Sequence, residues 1–358
     1  MIEEIVATRR GRVGQIVIDR PRALNALDGR MFAELGRVLE AWKSDDAVEA
    51  VVVRGTGTSF SAGGDIRTVR EAALAGDQAT LDRMYFDEYR LNALIDGYPK
   101  PFVAAVDGYC MGGGLGVAMY GDVVAVTERA QLAMPEVGIG FFPDVGASYV
   151  LPRLPDRVGW YMGLTGTRIG PADALALGLA THQLDDDAFA RVEEIVDDVP
   201  APPSAAPGGL VGAIATRFQA LAVRPGVPAL EPHRAAIARC FAEPALLGVI
   251  AALEREATPW AAETLTTMRR ASPTSLALTF ELFRRGSALT LAQSLEMEYQ
   301  LAVRTCRSAE FLEGVRAMVI DKDRTPHWQP ARIEDISQAA LDVIWSEIDI
   351  TRNELHLT

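Results

Sequence analysis

Two acidic side chains in an apolar stretch are the residues of this sequence best suited to chemistry. Glu136 and Asp144 lie eight residues apart in a segment otherwise made of Met, Pro, Val, Gly, Ile and Phe. Carboxylates in such surroundings are desolvated, which raises their pKa values toward the range that general acid-base or nucleophilic catalysis requires. Taken singly, Glu136 is explained as well by a helix start or a salt bridge, and Asp144 by an N-cap that follows Pro143.

Two glycine-rich turns offer a second chemical feature. Gly112, Gly113 and Gly114 precede an apolar segment of helical pattern, and Gly63 and Gly64 lie in the turn from 55 to 66. Unpaired amides at a helix N-terminus are donors for a developing oxyanion, above all if a second amide converges from the other turn. On spacing alone, close packing of helix and strand explains the glycines equally well. Together with the two acids, the turns favour a catalytic site.

The elements that must position these residues alternate between strand and helix, which predicts an α/β architecture. Asp28 is expected to cap a helix that extends to about Trp42. The predicted strands are 15–18, 51–53, 101–106, 123–126 and 131–134, and the predicted helical segments are 28–42, 67–97, 112–120, two short helices within 156–179, and 234–320.

The length and composition permit a large core, because 49% of the 358 residues are hydrophobic. The Pro- and Gly-rich segment from Val199 to Gly209 predicts a surface loop or linker. Beyond it, Thr258-Pro259 and Ser272-Pro273 each place a cap residue before a proline at the first helical position. We therefore expect a core at 1–200, a loop or linker and the start of the helical part at 201–233, and a helical region at 234–358 that completes the site.

Several classes of function are disfavoured by composition. A net charge of -13 opposes nonspecific nucleic-acid binding. The longest apolar stretch, from Phe102 to Val126, is interrupted by Asp107, Asp122 and several glycines, which argues against a membrane span. The first ten residues carry acids and no apolar run, so a cytoplasmic location is expected. The three cysteines and four histidines show no ligand spacing, so we expect buried thiols and no metal.

Competing nucleotide and hydrolase motifs are absent from the sequence. A dinucleotide fingerprint that starts at Gly112 would need glycine at 117, where Val117 stands, and no GxxxxGK[ST] phosphate loop occurs. A GxSxG nucleophile elbow is also missing, which disfavours a serine hydrolase of the α/β-hydrolase type.

The motifs that remain resemble those of a known family. The stretches 60–66 (FSAGGDI), 107–114 (DGYCMGGG) and 134–136 (MPE) resemble the crotonase (enoyl-CoA hydratase/isomerase) superfamily. Its 3-hydroxyisobutyryl-CoA hydrolase branch is similar in more specific stretches, namely 134–146, 272–275, 297–299 and 313–323. The resemblance covers about residues 10 to 332, and it implies a crotonase-like ββα superhelix with a helical C-terminal region.

The resemblance also assigns roles by position. It implies that the amides of Gly64 and Gly113 form an oxyanion hole for a thioester carbonyl. Glu136 would be the principal catalytic carboxylate, Asp144 its partner, and Glu88 an acid that contacts the substrate. Arg22 and Arg67 fall where basic residues could approach the CoA phosphates, although surface arginines are the simpler explanation.

The residue at position 116 departs from the pattern of the wider superfamily, and it favours hydrolysis over hydration. Hydratases of this family carry a second glutamate two residues after the triple glycine, where this sequence has Gly116. We therefore expect hydrolysis of an acyl-CoA thioester, with 3-hydroxyisobutyryl-CoA of valine breakdown as the favoured substrate and 3-hydroxypropionyl-CoA as another that fits. An enoyl-CoA hydratase or isomerase is the alternative, and a noncatalytic CoA-binding scaffold is the second. CoA is part of the substrate, no separate cofactor is expected, and the resemblance suggests a homo-oligomer.

Overall fold

The structure, a computed structural model, describes residues 2–200 and 208–357. Two compact units interleave along the chain. Unit 1 comprises Met1–Gly64, Arg90–Leu132 and Ile169–Ala229, and unit 2 comprises Asp65–Tyr89, Ala133–Arg168 and Leu230–Thr358. The division expected from the sequence is consecutive instead, and it stays a prediction. Most of the predicted loop between Val199 and Gly209 lies outside the described residues.

Strands occur mainly in unit 1. They are β1 (Ile5–Arg10), β2 (Val13–Ile18), β3 (Ala50–Gly55), β4 (Ser59–Ser61), β5 (Phe102–Val106), β6 (Tyr109–Met111), β7 (Val123–Val126), β8 (Gln131–Ala133) and β9 (His182–Gln183). A six-stranded sheet has the order β1-β2-β3-β5-β7-β9, in which β1 and β2 pair antiparallel and the other neighbours pair parallel. A smaller sheet has the order β4-β6-β8.

Helices make up most of unit 2, and further helices belong to unit 1. They are α1 (Gly29–Lys43), α2 (Ile66–Ala75), α3 (Gln78–Asp96), α4 (Gly113–Ala118), α5 (Ala147–Val150), α6 (Val158–Thr165), α7 (Pro171–Leu177), α8 (Asp186–Phe189), α9 (Val192–Asp197), α10 (Gly209–Leu221), α11 (Arg234–Cys240), α12 (Leu246–Glu256), α13 (Pro259–Arg270), α14 (Pro273–Gly286), α15 (Leu291–Thr305), α16 (Ala309–Val315) and α17 (Gln338–Ser346).

The core of unit 1 explains why its central strands are continuously apolar. Alternate residues of these strands, such as Val52, Val103 and Val123, pack with Ile195 of α9 and Phe218 of α10. The intervening residues of β3, β5 and β7 are buried as well. A parallel sheet buried on both faces is expected to have such uninterrupted runs of valine and alanine.

Helix starts follow the capping residues read from the sequence. Asp28 accepts a hydrogen bond from the amide of Met31 at the start of α1. Thr258 and Ser272 cap α13 and α14 in the same way, each ahead of a proline at the first helical position. The three cysteines are buried and free, as predicted. Within 2–200 and 208–357, no helix combines the length and the apolar character needed to cross a membrane.

Candidate active site

The two glycine turns of unit 1 come into close contact. Gly63 has φ +98°, and a Cβ at this position would lie 2.8 Å from the carbonyl oxygen of Met111 and 3.4 Å from the nitrogen of Gly113. Gly112 has φ 48° and ψ -125°, a conformation that side chains disfavour. A Cβ at Gly114 would lie 2.7 Å from Ser61. The close packing proposed for these glycines is therefore present, and it brings the two turns together.

Hydrogen bonds fix the first of these turns. The amide of Leu27 donates to the carbonyl of Gly63 at 2.8 Å, and Leu27 also pairs with Gly64 in an isolated parallel bridge. The hydroxyl of Ser61 accepts from the amide of Gly63 at 3.1 Å. Within residues 2–200 and 208–357, no backbone carbonyl accepts a hydrogen bond from the amide of Gly64 or Gly113.

Three acids predicted for the site lie close together in unit 2. Glu88 is in α3, Glu136 begins a short 3₁₀ helix that ends at Ile139, and Asp144 lies in the turn before α5. All three side chains are buried, with relative exposures of 3%, 7% and 6%. The charge of Asp144 raises the pKa of both Glu88 and Glu136, and the charge of Glu136 raises that of Glu88, which places the three in a single cluster of carboxyl groups.

Burial dominates the electrostatics of this cluster. It raises the pKa of Glu136 well above the usual value, and the charge of Asp144 adds to the increase. Burial also raises the pKa of Glu88 strongly, with further contributions from Asp144 and Glu136. The pKa of Asp144 rises to about 7 through burial, against the opposing effect of a hydrogen bond from Tyr89. A carboxyl group that titrates near neutrality, as Asp144 does, suits proton transfer.

Glu136 has an oxygen with no partner. Its Oε2 atom is buried and forms no hydrogen bond with any residue that the structure describes. An unsatisfied buried carboxylate oxygen is costly and calls for an explanation. The salt bridge considered for Glu136 is not found among the described residues, although Glu136 does begin a short helix. The hydrogen-bonding capacity of this oxygen is thus left unused by the described residues.

Asp144 does not act as the N-cap that its sequence context suggested. The N-cap of α5 is Gly146, with no side-chain capping bond. Instead, Oδ2 of Asp144 accepts a hydrogen bond of 2.6 Å from the hydroxyl of Tyr89, a buried residue of α3. Tyr89 was not predicted as a site residue, although it adjoins Glu88 in the sequence.

Glu298 is a further acid that the sequence did not assign. It lies in α15, is fully buried, and accepts hydrogen bonds from the amides of Gly146 and Ser148 just after Asp144. Burial raises the pKa of Glu298 to about 8. The only sequence signal was its place in the Met297-Glu298-Tyr299 motif, which carried no role.

The two arginines proposed to approach CoA lie on the surface of their units. Arg22 is exposed in a 3₁₀ helix, Pro21–Ala23, of unit 1. Arg67 is exposed in α2 of unit 2, where its guanidinium donates to the carbonyl of Val319 at 2.6 Å. No group of three or more metal-ligating side chains occurs in the part of the chain that the structure describes. The CoA contacts and the expected lack of a metal both stay predictions.

A family model and individual relatives agree on the family that this chain resembles. The family model described as enoyl-CoA hydratase/isomerase matches residues 13–344. The 3-hydroxyisobutyryl-CoA hydrolase of Danio rerio is 35% identical over 97% of this chain and 90% of its own length. That of Homo sapiens is 35% identical over 95% of this chain and 88% of its own. Both relatives are named as mitochondrial, so the cytoplasmic location expected from the sequence is wrong.

Solved structures are similar over nearly the whole chain. A carnitinyl-CoA dehydratase from Mycobacterium thermoresistibile has a TM-score of 0.87 at 34% identity, with 97% of each chain covered. An enoyl-CoA hydratase from Rhodobacter sphaeroides has a TM-score of 0.82 at 35% identity, with the same coverage. The fold class predicted from the sequence, a crotonase-like ββα superhelix with a helical C-terminal region, is confirmed.

Proposed function

Because this chain belongs to the enoyl-CoA hydratase/isomerase (crotonase) family, in the branch of the 3-hydroxyisobutyryl-CoA hydrolases, we propose that it hydrolyses 3-hydroxyisobutyryl-CoA to 3-hydroxyisobutyrate and CoA, a reaction of valine breakdown. The observation that carries this proposal is the buried, unpartnered Oε2 of Glu136 within the cluster that contains Asp144 and Glu88. Such an oxygen has no hydrogen bond to give up before it reacts, and the pKa of the neighbouring Asp144, about 7, suits proton exchange.

The proposed oxyanion hole uses two backbone donors of unit 1. In the proposed mechanism, the amides of Gly64 and Gly113 donate to the thioester oxygen as it becomes negative. Fixed donors need no reorganisation when charge develops, and one such donor contributes about 2.7–4 kcal/mol to stabilisation of the transition state. The convergence of the Gly63 and Gly113 turns supports this assignment.

Glu136 opens the thioester by one of two routes. In the first, its ionised carboxylate attacks the carbonyl carbon, the C–S bond breaks, and water then hydrolyses the mixed anhydride. In the second, Glu136 takes a proton from water, whose oxygen attacks the carbonyl carbon directly. In both routes the leaving thiolate takes up a proton. Asp144, whose pKa is about 7, exchanges protons with the thiol and with water.

Glu88 supports recognition of a hydroxylated acyl group. Burial raises its pKa and so favours the neutral form, and a neutral carboxyl can both donate and accept hydrogen bonds. The 3-hydroxyl of the acyl group also donates and accepts. Glu88 is therefore proposed to bind this hydroxyl, as its place in the motif suggested. A 3-hydroxypropionyl group has the same hydroxyl and would use the same contact.

Hydration of an enoyl-CoA is the second candidate function. The similar solved structures are named as a carnitinyl-CoA dehydratase and an enoyl-CoA hydratase, which favours it. Gly116, a buried residue of α4, stands where hydratases of the family carry their second glutamate, which opposes it. A noncatalytic scaffold is opposed by the cost of keeping the unpartnered oxygen of Glu136.

Other proposed properties follow from the family resemblance. Arg22 and Arg67 are proposed to approach the CoA phosphates, because guanidinium groups bind phosphate oxygens well. CoA enters as part of the substrate, and we propose no separate cofactor. Association into a homo-oligomer is proposed from the same resemblance.

A paired assay tests the proposed function. Thiol release from 3-hydroxyisobutyryl-CoA and loss of the conjugated absorbance of crotonyl-CoA are measured for the wild type and Glu136→Gln. We expect thiol release that falls by about 10²–10⁴-fold in the variant, the range for loss of a catalytic acid-base group. Glu296→Gln is the matched control, since Glu296 is also buried but holds Gln300 and Leu355.

Each other outcome has a defined meaning. Loss of crotonyl-CoA absorbance without thiol release would establish hydration instead. Inactivity with both substrates would overturn the proposal. Hydrolysis in ¹⁸O-labelled water then separates the two routes, because repeated turnovers place label in Glu136 only if its carboxylate attacks the thioester.

A further inference from the structure

The turn that carries Asp144 has an unusual backbone. Val145 has φ +54° and Gly146 has φ +85°, so two successive residues adopt the left-handed conformation. Glycine accepts this conformation readily, whereas a β-branched residue with positive φ is a true outlier. Val145 is also completely buried. A conformation of this kind persists only where the surroundings hold it in place.

Glu298 provides contacts that hold this turn. One carboxylate oxygen, Oε2, accepts from the amide of Gly146 at 2.6 Å, and Oε1 accepts from the amide of Ser148 at 2.9 Å. The two amides therefore converge on a single side chain that projects from α15. Because both oxygens are used, the carboxylate fixes the turn in two places immediately after Asp144.

The surroundings of Glu298 offer no simpler reason for a buried acid. Among the described residues, none of the basic side chains forms an ion pair with Glu298. The titratable groups near it are Asp144 and Tyr89, and neither compensates a negative charge. Burial of a carboxyl group without an opposite charge destabilises a fold, and hydrogen bonds offset only part of this cost. We therefore look to the two hydrogen bonds of Glu298 for the reason that an acid occupies this position.

We propose that Glu298 is a positioning residue that keeps the Val145-Gly146 turn left-handed and thereby fixes the carboxyl group of Asp144 within the acid cluster. The inference rests on the proposed role of Asp144 in hydrolysis. Glu298 is not expected to touch the substrate, and its effect on catalysis passes through the turn.

Substitution of Glu298 is expected to change turnover and not substrate binding. Glutamine in place of Glu298 has one carbonyl oxygen and one NH₂ group, so one backbone amide would face a donor and lose its acceptor. A misplacement of about 1 Å in a catalytic group can lower the rate by about 10²-fold. For Glu298→Gln we expect kcat for thiol release to fall by roughly 10–100-fold with little change in KM.

The matched control comes from the same helix. Glu296 is also buried, and it accepts hydrogen bonds from the Nε2 atom of Gln300 at 2.8 Å and the amide of Leu355 at 3.0 Å. Glu296→Gln makes the same change of carboxyl to amide in α15 without touching the Asp144 turn. We expect it to lower the melting temperature as much as Glu298→Gln does, or more, while kcat stays within about twofold of the wild type.

The experiment compares kcat, KM and melting temperature for the wild type, Glu298→Gln, Glu298→Asp and Glu296→Gln. Glu298→Asp keeps the carboxyl group but is one methylene shorter, so its kcat should also fall. This variant tests the proposal if Glu298→Gln does not fold. The proposal is overturned if folded Glu298 variants keep the kcat of the wild type, or if Glu296→Gln loses kcat equally.

Asp144→Asn separates failure of this inference from failure of the proposed function. If Asp144→Asn releases thiol as fast as the wild type, the proposed role of Asp144 falls, and the inference falls with it. If Asp144→Asn is slow while the Glu298 variants are unaffected, only the inference is wrong.

Discussion

The hydroxyl of Tyr89 donates a hydrogen bond of 2.6 Å to Oδ2 of Asp144, and both residues are buried. A hydrogen bond to an ionised carboxylate stabilises the charged form. It therefore restrains the increase in pKa that burial imposes on Asp144, and it leaves Oδ1 as the oxygen that can exchange a proton with water or thiol. Tyr89 thus sets both the orientation and the acidity of the aspartate.

Tyr89→Phe is expected to move the pH–rate profile of thiol release to higher pH. Without the hydroxyl, the pKa of Asp144 rises above about 7. A hydrogen bond to a charged group contributes about 1.5–3 kcal/mol, which corresponds to roughly one to two pH units. The part of the pH–rate profile that follows the titration of Asp144 should move to higher pH by this amount. Measurement of kcat between about pH 5 and 9 checks the shift.

Tyr299→Phe is the control for this profile. Tyr299 packs edge-on against Tyr89 with a centroid distance of 6.4 Å, and its hydroxyl forms no hydrogen bond with Asp144. Its loss should leave the profile in place. Equal shifts in the two variants, or no shift in Tyr89→Phe, would contradict the assignment.

Asp144→Asn is expected to stabilise the protein at high pH while it impairs hydrolysis. The folded-state pKa of about 7 exceeds the unfolded value of about 3.9, so the folded state binds more protons between these values. The stability of the wild type therefore falls as pH rises from about 4 to 7, and by a few kcal/mol at most, since one pKa unit corresponds to about 1.4 kcal/mol. Asparagine does not titrate, so the variant escapes this loss.

Thermal unfolding across pH checks this prediction. The melting temperature of Asp144→Asn should exceed that of the wild type near pH 8, and the difference should shrink toward about pH 4, below the window set by the two pKa values. A difference that stays constant with pH would show that the titration of Asp144 is not its cause.

Gly114→Ala is expected to disturb the glycine turns. The added Cβ would lie 2.7 Å from both Cβ and the carbonyl oxygen of Ser61, so the backbone of β4 or α4 must shift. Overpacking of this kind typically lowers the free energy of unfolding by about 1–3 kcal/mol. Loss of one oxyanion donor lowers kcat by about 10²–10³-fold, which is the effect expected on thiol release.

Gly36→Ala is the matched substitution, and it is expected to raise the free energy of unfolding where Gly114→Ala lowers it. Gly36 lies inside α1, and a Cβ there would meet no atom within 4 Å. Alanine should raise the free energy of unfolding by about 0.5–1 kcal/mol, because glycine loses more backbone freedom on folding. Urea denaturation measures both variants, and Gly114→Ala with unchanged stability would contradict the packing argument.

Local signals in the sequence predicted much of the fold. A strand buried on both faces is apolar throughout, which made the strands at Val51–Val53 and Val123–Val126 recognisable. The cap at Asp28 was recognisable because its hydrogen bond reaches only three residues along the chain. β1 was missed. In IVATRR only Ile5 is fully buried, so this edge strand carries neither alternation nor an apolar run.

The site was predictable only where motifs marked it. Glu136 and Asp144 were recognised as acids in an apolar stretch and Glu88 through the family resemblance, and the structure places the three in one cluster. Tyr89 and Glu298 received no role, because their contacts span 55 and 152 residues of sequence. Partners at such separations leave no spacing pattern, since they are set by how helices pack in three dimensions.

The separation of Gly146 from Glu298 also bears on synthesis of the chain. The carboxylate that holds the Asp144 turn is made 152 residues after the turn itself. At about 5–20 residues per second, this delay is roughly 8–30 s on the ribosome. Under the proposed role of Glu298, a nascent chain already contains Glu88, Glu136 and Asp144 but lacks the contact that aligns them. Turnover of the thioester would then begin only after Glu298 has been synthesised.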